Sequence, residues 1–160
     1  MAMIQQLRAH AFVTLVFSLA LPFALFADDA GDVKKELAAL EGKWKAVSME
    51  AGGKQLPGGM DFTFTVGPNG KATSKSSIDE YQATVTVDPK KSPKTIDNLH
   101  DTGTAKGKKQ LGIYKLEGDK WTVCMSRPGV PEPDRPKDFN TKDSANVVFV
   151  FERIKEDKKQ

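Results

Sequence analysis

From Trp44 onward the apolar residues return at every second position, and this period of two constrains the chain more than any other property it has. Such a period belongs to strands that bury one face and wet the other. Over residues 61–66, Phe62, Phe64 and Val66 alternate with Thr63 and Thr65. Over 80–88, Tyr81, Ala83, Val85 and Val87 alternate with Gln82, Thr84 and Thr86. The same reading predicts strands over 43–50, 71–77 (almost wholly polar), 94–100, 110–117, 120–126 and 146–154. Turn chemistry separates them at Gly52-Gly53, Gly67-Pro68-Asn69-Gly70, Asp88-Pro89, a Gly- and Lys-rich stretch over 101–109, and Gly118-Asp119. With Gly118-Asp119 as a two-residue loop, Leu116 faces Trp121, Tyr114 faces Val123, Gly112 faces Met125, and Lys115 opposes Thr122 on the other side. About eight short strands at fairly even spacing predict an antiparallel barrel or sandwich and not an α/β arrangement.

One helix precedes them. Val33, Leu37 and Leu40 share a face within residues 32–40, with charges opposite and Gly42 as the stop. Upstream, Arg8 and the uncharged apolar run from Ala11 to Ala27 have the layout of a signal peptide, with cleavage expected after Ala27. The alternative is an uncleaved anchor, against which the run is interrupted by Pro22 and falls short of the roughly 20 residues of a spanning helix. The chain thus divides into a signal peptide (1–27), a polar start with the short helix (28–41), a β domain (42–154) and a charged tail (155–160). The expected location is periplasmic or extracellular, with no integral membrane association after cleavage.

Charge and cysteine content narrow the function. A net charge of +3 over 160 residues gives no concentrated basic stripe, so nucleic-acid binding is not expected. Cys124 is the only cysteine, so no internal disulfide can form and the core must supply the stability. Cys124 reads as a small buried hydrophobe, and with His100 as the only histidine after the leader, a conventional zinc site and a metal cofactor are not expected. Residues 127–145 carry Pro128, Pro131, Pro133 and Pro136, and a connection of this length serves either as a lid or binding loop, or as a stiff crossing of one barrel end.

Gly42-Lys43-Trp44, at the head of the first strand, resembles the G-x-W start of lipocalin-like barrels. In that superfamily an arginine of the last strand lies across the tryptophan, and Arg153 shares a face with Val147, Phe149 and Phe151. More narrowly, Leu40-Glu41-Gly42-Lys43-Trp44, Gly53-Lys54-Gln55-Leu56-Pro57, Leu111-Gly112-Ile113-Tyr114, Gly118-Asp119 and Arg127-Pro128-Gly129 resemble an uncharacterised family of small exported bacterial domains, common in planctomycetes and described as lipocalin-like. The resemblance implies an up-and-down antiparallel β-barrel of about eight strands with one short N-terminal helix. It also implies that Trp44 and Arg153 close one barrel end, and it assigns no catalytic residue.

A barrel interior offers a cavity for a small hydrophobic or amphipathic ligand, with Phe62, Phe64, Tyr81, Tyr114, Trp121 and Met125 as its expected wall. The same aromatics could instead fill the barrel, leaving an envelope interaction module that presents Lys-rich turns to a protein partner not identifiable from sequence. A remote third reading takes Asp101-Thr102-Gly103 as the active-site tripeptide of a dimeric aspartic protease, although His100 stands where an apolar residue is preferred and Asp-Thr-Gly is ordinary turn chemistry. The expectation is a protein that is not an enzyme.

Overall fold

The computed structural model describes residues 27–56 and 61–155. The expected signal peptide, apart from Ala27, and most of the charged tail lie outside them. Helix α1 (Ala27–Leu40) leads into β1 (Gly42–Ala51) and a two-residue spur, β2 (Lys54–Gln55). There follow β3 (Thr63–Val66), β4 (Lys71–Lys75), β5 (Glu80–Asp88), β6 (Lys94–His100), β7 (Lys109–Glu117), β8 (Lys120–Met125) and β9 (Val147–Arg153). Apart from the spur, each strand pairs antiparallel with the next, and β9 returns to β1. Among the described residues this makes a closed, eight-stranded, up-and-down barrel of lipocalin-like form. Closure removes the unpaired edges that an open sheet would expose.

Register follows the sequence pattern closely. The β7–β8 hairpin pairs Leu116 with Trp121, Tyr114 with Val123 and Gly112 with Met125, as the two-residue loop requires. The polar strand β4 sends only Ala72 and Ser74 into burial, so its inward face is narrow and its outward face wet. One irregularity escapes simple alternation. At Val47 in β1 the pairing with β9 slips by a residue, so Trp44 and Ala46 lie opposite Arg153 and Phe151 while Met49 lies opposite Phe149. The bulge transfers the inward face from even to odd positions and leaves Val47 exposed.

Residues 127–145 cross neither end of the barrel. They lie along the outer wall, where Phe139 packs on Ile113, Cys124 and Val148, a second small core outside the barrel. Arg135 pins this loop: it lies 2.6 Å from Asp97 of β6, donates to the Gly112 carbonyl at 2.8 Å and pairs with Glu132 at 2.6 Å. Further along, the fully buried Thr141 accepts from the Gly53 backbone N–H and donates to Glu50. Both faces of β8 are therefore covered.

Candidate functional site

The two ends of the barrel are built differently, and the difference locates the site. At one end α1 lies across the opening. Its residues Leu37 and Leu40 join the core, and Glu36 accepts from Lys94 at 2.6 Å and from the Tyr114 hydroxyl at 3.0 Å. Burial, then the Glu36 carboxylate, pushes the Tyr114 phenol far above its ordinary range and keeps it a neutral donor.

Trp44, with none of its surface exposed, donates from Nε1 to the Leu40 carbonyl at 2.8 Å. The Arg153 guanidinium sits 4.0 Å from the centre of the Trp44 ring and donates to the Glu41 and Ala39 carbonyls at 2.5 and 2.7 Å. Helix α1 has no basic residue in its own last turn, so Arg153, from the far end of the chain, supplies the cation that its C-terminal carbonyls favour. Gly42 makes room for it. A Cβ there would stand 2.8 Å from Arg153 Nη1, on a backbone whose φ of +123° already favours glycine.

Among the described residues the opposite end carries no such plug. Phe62, Tyr81, Gln110 and Phe149, all half-buried, surround a mouth there. Below them Phe64, Ile96, Val123, Met125 and Phe151 line a cavity of about 240 Å³ whose floor is Trp121. The aromatic wall is continuous: Trp121 stacks on Phe151 at 5.2 Å, Phe151 on Phe149 at 5.8 Å, and Phe62 leans on Phe149 at 5.3 Å. At the rim Tyr81 lies against His100 at 4.6 Å, His100 Nε2 is 3.2 Å from Gln110 Oε1, and Gln110 donates to the Ser126 carbonyl. Burial raises the Tyr81 phenol above its ordinary value, so it faces the mouth uncharged.

Among the described residues, two buried polar atoms of residues that line the cavity have no hydrogen-bond partner. Asn98, 6% exposed on the inward face of β6, leaves its Oδ1 unbonded, and Trp121, 2% exposed, leaves its Nε1–H undonated. A buried polar group without a hydrogen bond costs about 1–3 kcal/mol.

Of the residues expected to wall a ligand site, Phe62, Phe64, Tyr81, Trp121 and Met125 come together here, and Tyr114 does not. Tyr114 shares their inward face but lies toward the opposite end, where its hydroxyl is taken by Glu36 of α1. Sequence reasoning passed over Phe149 and Phe151, although their parity with Arg153 placed them inside. It also passed over Asn98, for which alternation was silent because Ile96 and Leu99 have opposite parity.

The remaining candidates lie elsewhere. Asp101 begins the β6–β7 turn, where its backbone N–H bonds Gln82 O and its carboxylate accepts from Thr84 at 2.9 Å and pairs with Lys71 at 3.3 Å. The Thr84 hydrogen bond, then Lys71, holds that carboxyl below its ordinary value. Cys124 is wholly buried under the outer loop, and burial pushes its thiol up to about 12. Among the described residues no three His, Cys, Asp or Glu side chains group as metal ligands, and no helix is long and apolar enough to cross a membrane.

Comparison with known proteins adds no identity: no family model and no curated protein matches the chain.

Proposed function

We propose that this is an exported binding protein which holds one small, largely apolar molecule in the open half of its barrel. The observation that carries the reading is the cavity itself, aromatic on its walls and, among the described lining residues, without a charged side chain. Size supports a ring compound over a long acyl chain. About 240 Å³ exceeds the roughly 150 Å³ of a dry protein cavity that admits benzene, and lies below the usual range for drug-sized ligands. Export rests on the leader-like residues 1–27, and kinship with the small exported lipocalin-like domains rests on the G-x-W start and the motifs that accompany it.

Native mass spectrometry of the protein purified from an expressing culture tests both halves. The expected species begins at Asp28 and carries one small-molecule adduct or takes up one neutral arene on addition. A chain that retains Met1 inside the cell contradicts export. A chain that neither carries nor takes up a small molecule contradicts binding.

A further inference from the structure

Resting on that reading and deepening it, we infer that the ligand is an arylalkylamine: its flat apolar body fills the barrel cavity, and its ammonium head lies at the rim, in a second pocket that carries Asp79. This pocket, of about 220 Å³, has Asp79, Tyr81, His100, Thr102, Thr104 and Gln110 in its wall. Tyr81 and Gln110 also line the aromatic cavity, so the two spaces meet at those side chains. Strand β6 gives the step between them. Asn98 lines the cavity, and His100, the next inward position toward the mouth, lines the pocket. Two residues of strand rise about 6–7 Å, which a short alkyl tether spans.

Two turns hold the pocket in shape. In the β4–β5 turn the Asp79 N–H donates to Ser76 Oγ at 3.0 Å, and the Ser76 N–H donates to the Asp79 carbonyl at 2.8 Å. In the β6–β7 turn the Gln82 N–H donates to Thr102 Oγ1 at 2.8 Å, and the Thr102 N–H donates to the Gln82 carbonyl at 3.3 Å. That turn lies close against Tyr81: a Cβ on Gly103, whose φ is +80°, would stand 3.1 Å from Tyr81 Cβ. The lining groups are thus positioned before a ligand arrives.

Charge decides the head. Among the described residues lining the pocket, Asp79 is the one carboxylate, and no Lys or Arg stands there to answer it. The neighbouring carboxylates are already matched, Asp101 with Lys71 at 3.3 Å and Glu80 with Lys75 at 3.3 Å. The charge of Asp79 reaches the ring that the two spaces share: burial is the main cause of the raised Tyr81 phenol, Ser74 opposes it, and the Asp79 carboxylate adds to it. His100 contributes an acceptor. Gln110 Nε2 donates to the Ser126 carbonyl, so Gln110 Oε1 takes the His100 Nε2–H and leaves Nδ1 of the neutral ring to accept. An ammonium brings three donors and the opposite charge to this set, whereas a carboxylate head meets like charge and no cation. The aromatic walls below suit a flat body that stacks.

Three ligands with one body and different heads test this on the purified protein: 2-(2-naphthyl)ethylamine, 2-(2-naphthyl)ethanol and 2-naphthylacetate, compared with naphthalene itself by titration calorimetry at pH 8. The amine is expected to bind roughly tenfold more tightly than the acetate and roughly threefold more tightly than the alcohol. Because Asp79 is exposed, that advantage should shrink as salt is added. Asp79→Asn is expected to bring amine and acetate within roughly threefold of each other while leaving naphthalene binding unchanged. If naphthalene binds but the three headed ligands bind equally, or the acetate binds tightest, or the amine keeps its advantage in Asp79→Asn, the inference is overturned and the cavity reading stands. Failure of all four to bind overturns the cavity reading and the inference with it. The ligands are compared on the unaltered chain, so the result does not depend on the variant folding.

Discussion

Trp44 and Trp121 touch edge to face, 5.5 Å apart, and divide the barrel between them. Both are buried to within 2%. Trp44 has its N–H on the Leu40 carbonyl and a guanidinium on its ring; Trp121 has an N–H with no partner and a cavity above it. The same side chain at nearly the same depth thus serves as a plug in one half and as a floor in the other. What differs is the covering. At the closed end α1 supplies carbonyls and a carboxylate to Trp44, Arg153, Lys94 and Tyr114, and among the described residues no helix performs that service at the mouth.

Substitutions can break the contrast in order of size. Trp44→Ala is expected to lower the unfolding free energy by about 3–5 kcal/mol, read from denaturant midpoints, because it empties the plug and orphans the Leu40 carbonyl. Arg153→Met follows at about 2–3 kcal/mol, since the Ala39 and Glu41 carbonyls at the end of α1 lose a charged donor. A sharper comparison pairs Trp44→Phe with Trp121→Phe. The first should cost about 1–2 kcal/mol more than the second, because only Trp44 has a hydrogen bond to lose. Equal costs would mean that Trp121 is as fully engaged as Trp44.

The smallest expected effect comes from the outer wall, which belongs to neither end. The Cys124 thiol is raised from 9.0 to about 12, and Tyr81 shifts in the same direction. A raised folded value contributes stability that is intact below the unfolded value and is lost as pH climbs toward the folded one. The urea midpoint should therefore hold steady from neutrality to about pH 9 and fall above it, with a shallower fall in Cys124→Ala. A thiol reagent at pH 8 should leave native Cys124 unmodified; rapid labelling there would contradict its burial.

Much of the barrel was legible in sequence because period two is a direct consequence of the pleat. The β7–β8 register followed from one two-residue loop, and the facing of Trp44 and Arg153 is what the resemblance to the G-x-W start implied, with parity in β9 in agreement. What alternation missed has local causes. Helix α1 begins at Ala27, five residues before the start at Asp32 that the apolar stripe predicts, because its first turn is small and polar and carries no stripe. The Val47 bulge resets parity inside one strand without a glycine or proline to announce it. The outer loop reads as a lid or an end crossing when its prolines are taken alone. The sign that it covers the wall lay in the strands, where Leu111, Ile113 and Cys124 are apolar at outward positions. In the cavity, aromatic content was visible but Asn98 was not, because it sits in a strand whose apolar residues contradict each other.

The two indole N–H groups of this chain can be read separately by nitrogen–proton correlation spectroscopy, with Trp44→Phe and Trp121→Phe assigning the signals. On titration with a neutral arene such as naphthalene, the signal of Trp121 is expected to move while that of Trp44, held by Leu40, stays in place and exchanges slowly with deuterium. Two equally protected and unmoved signals would contradict a barrel plugged at one end and receptive at the other.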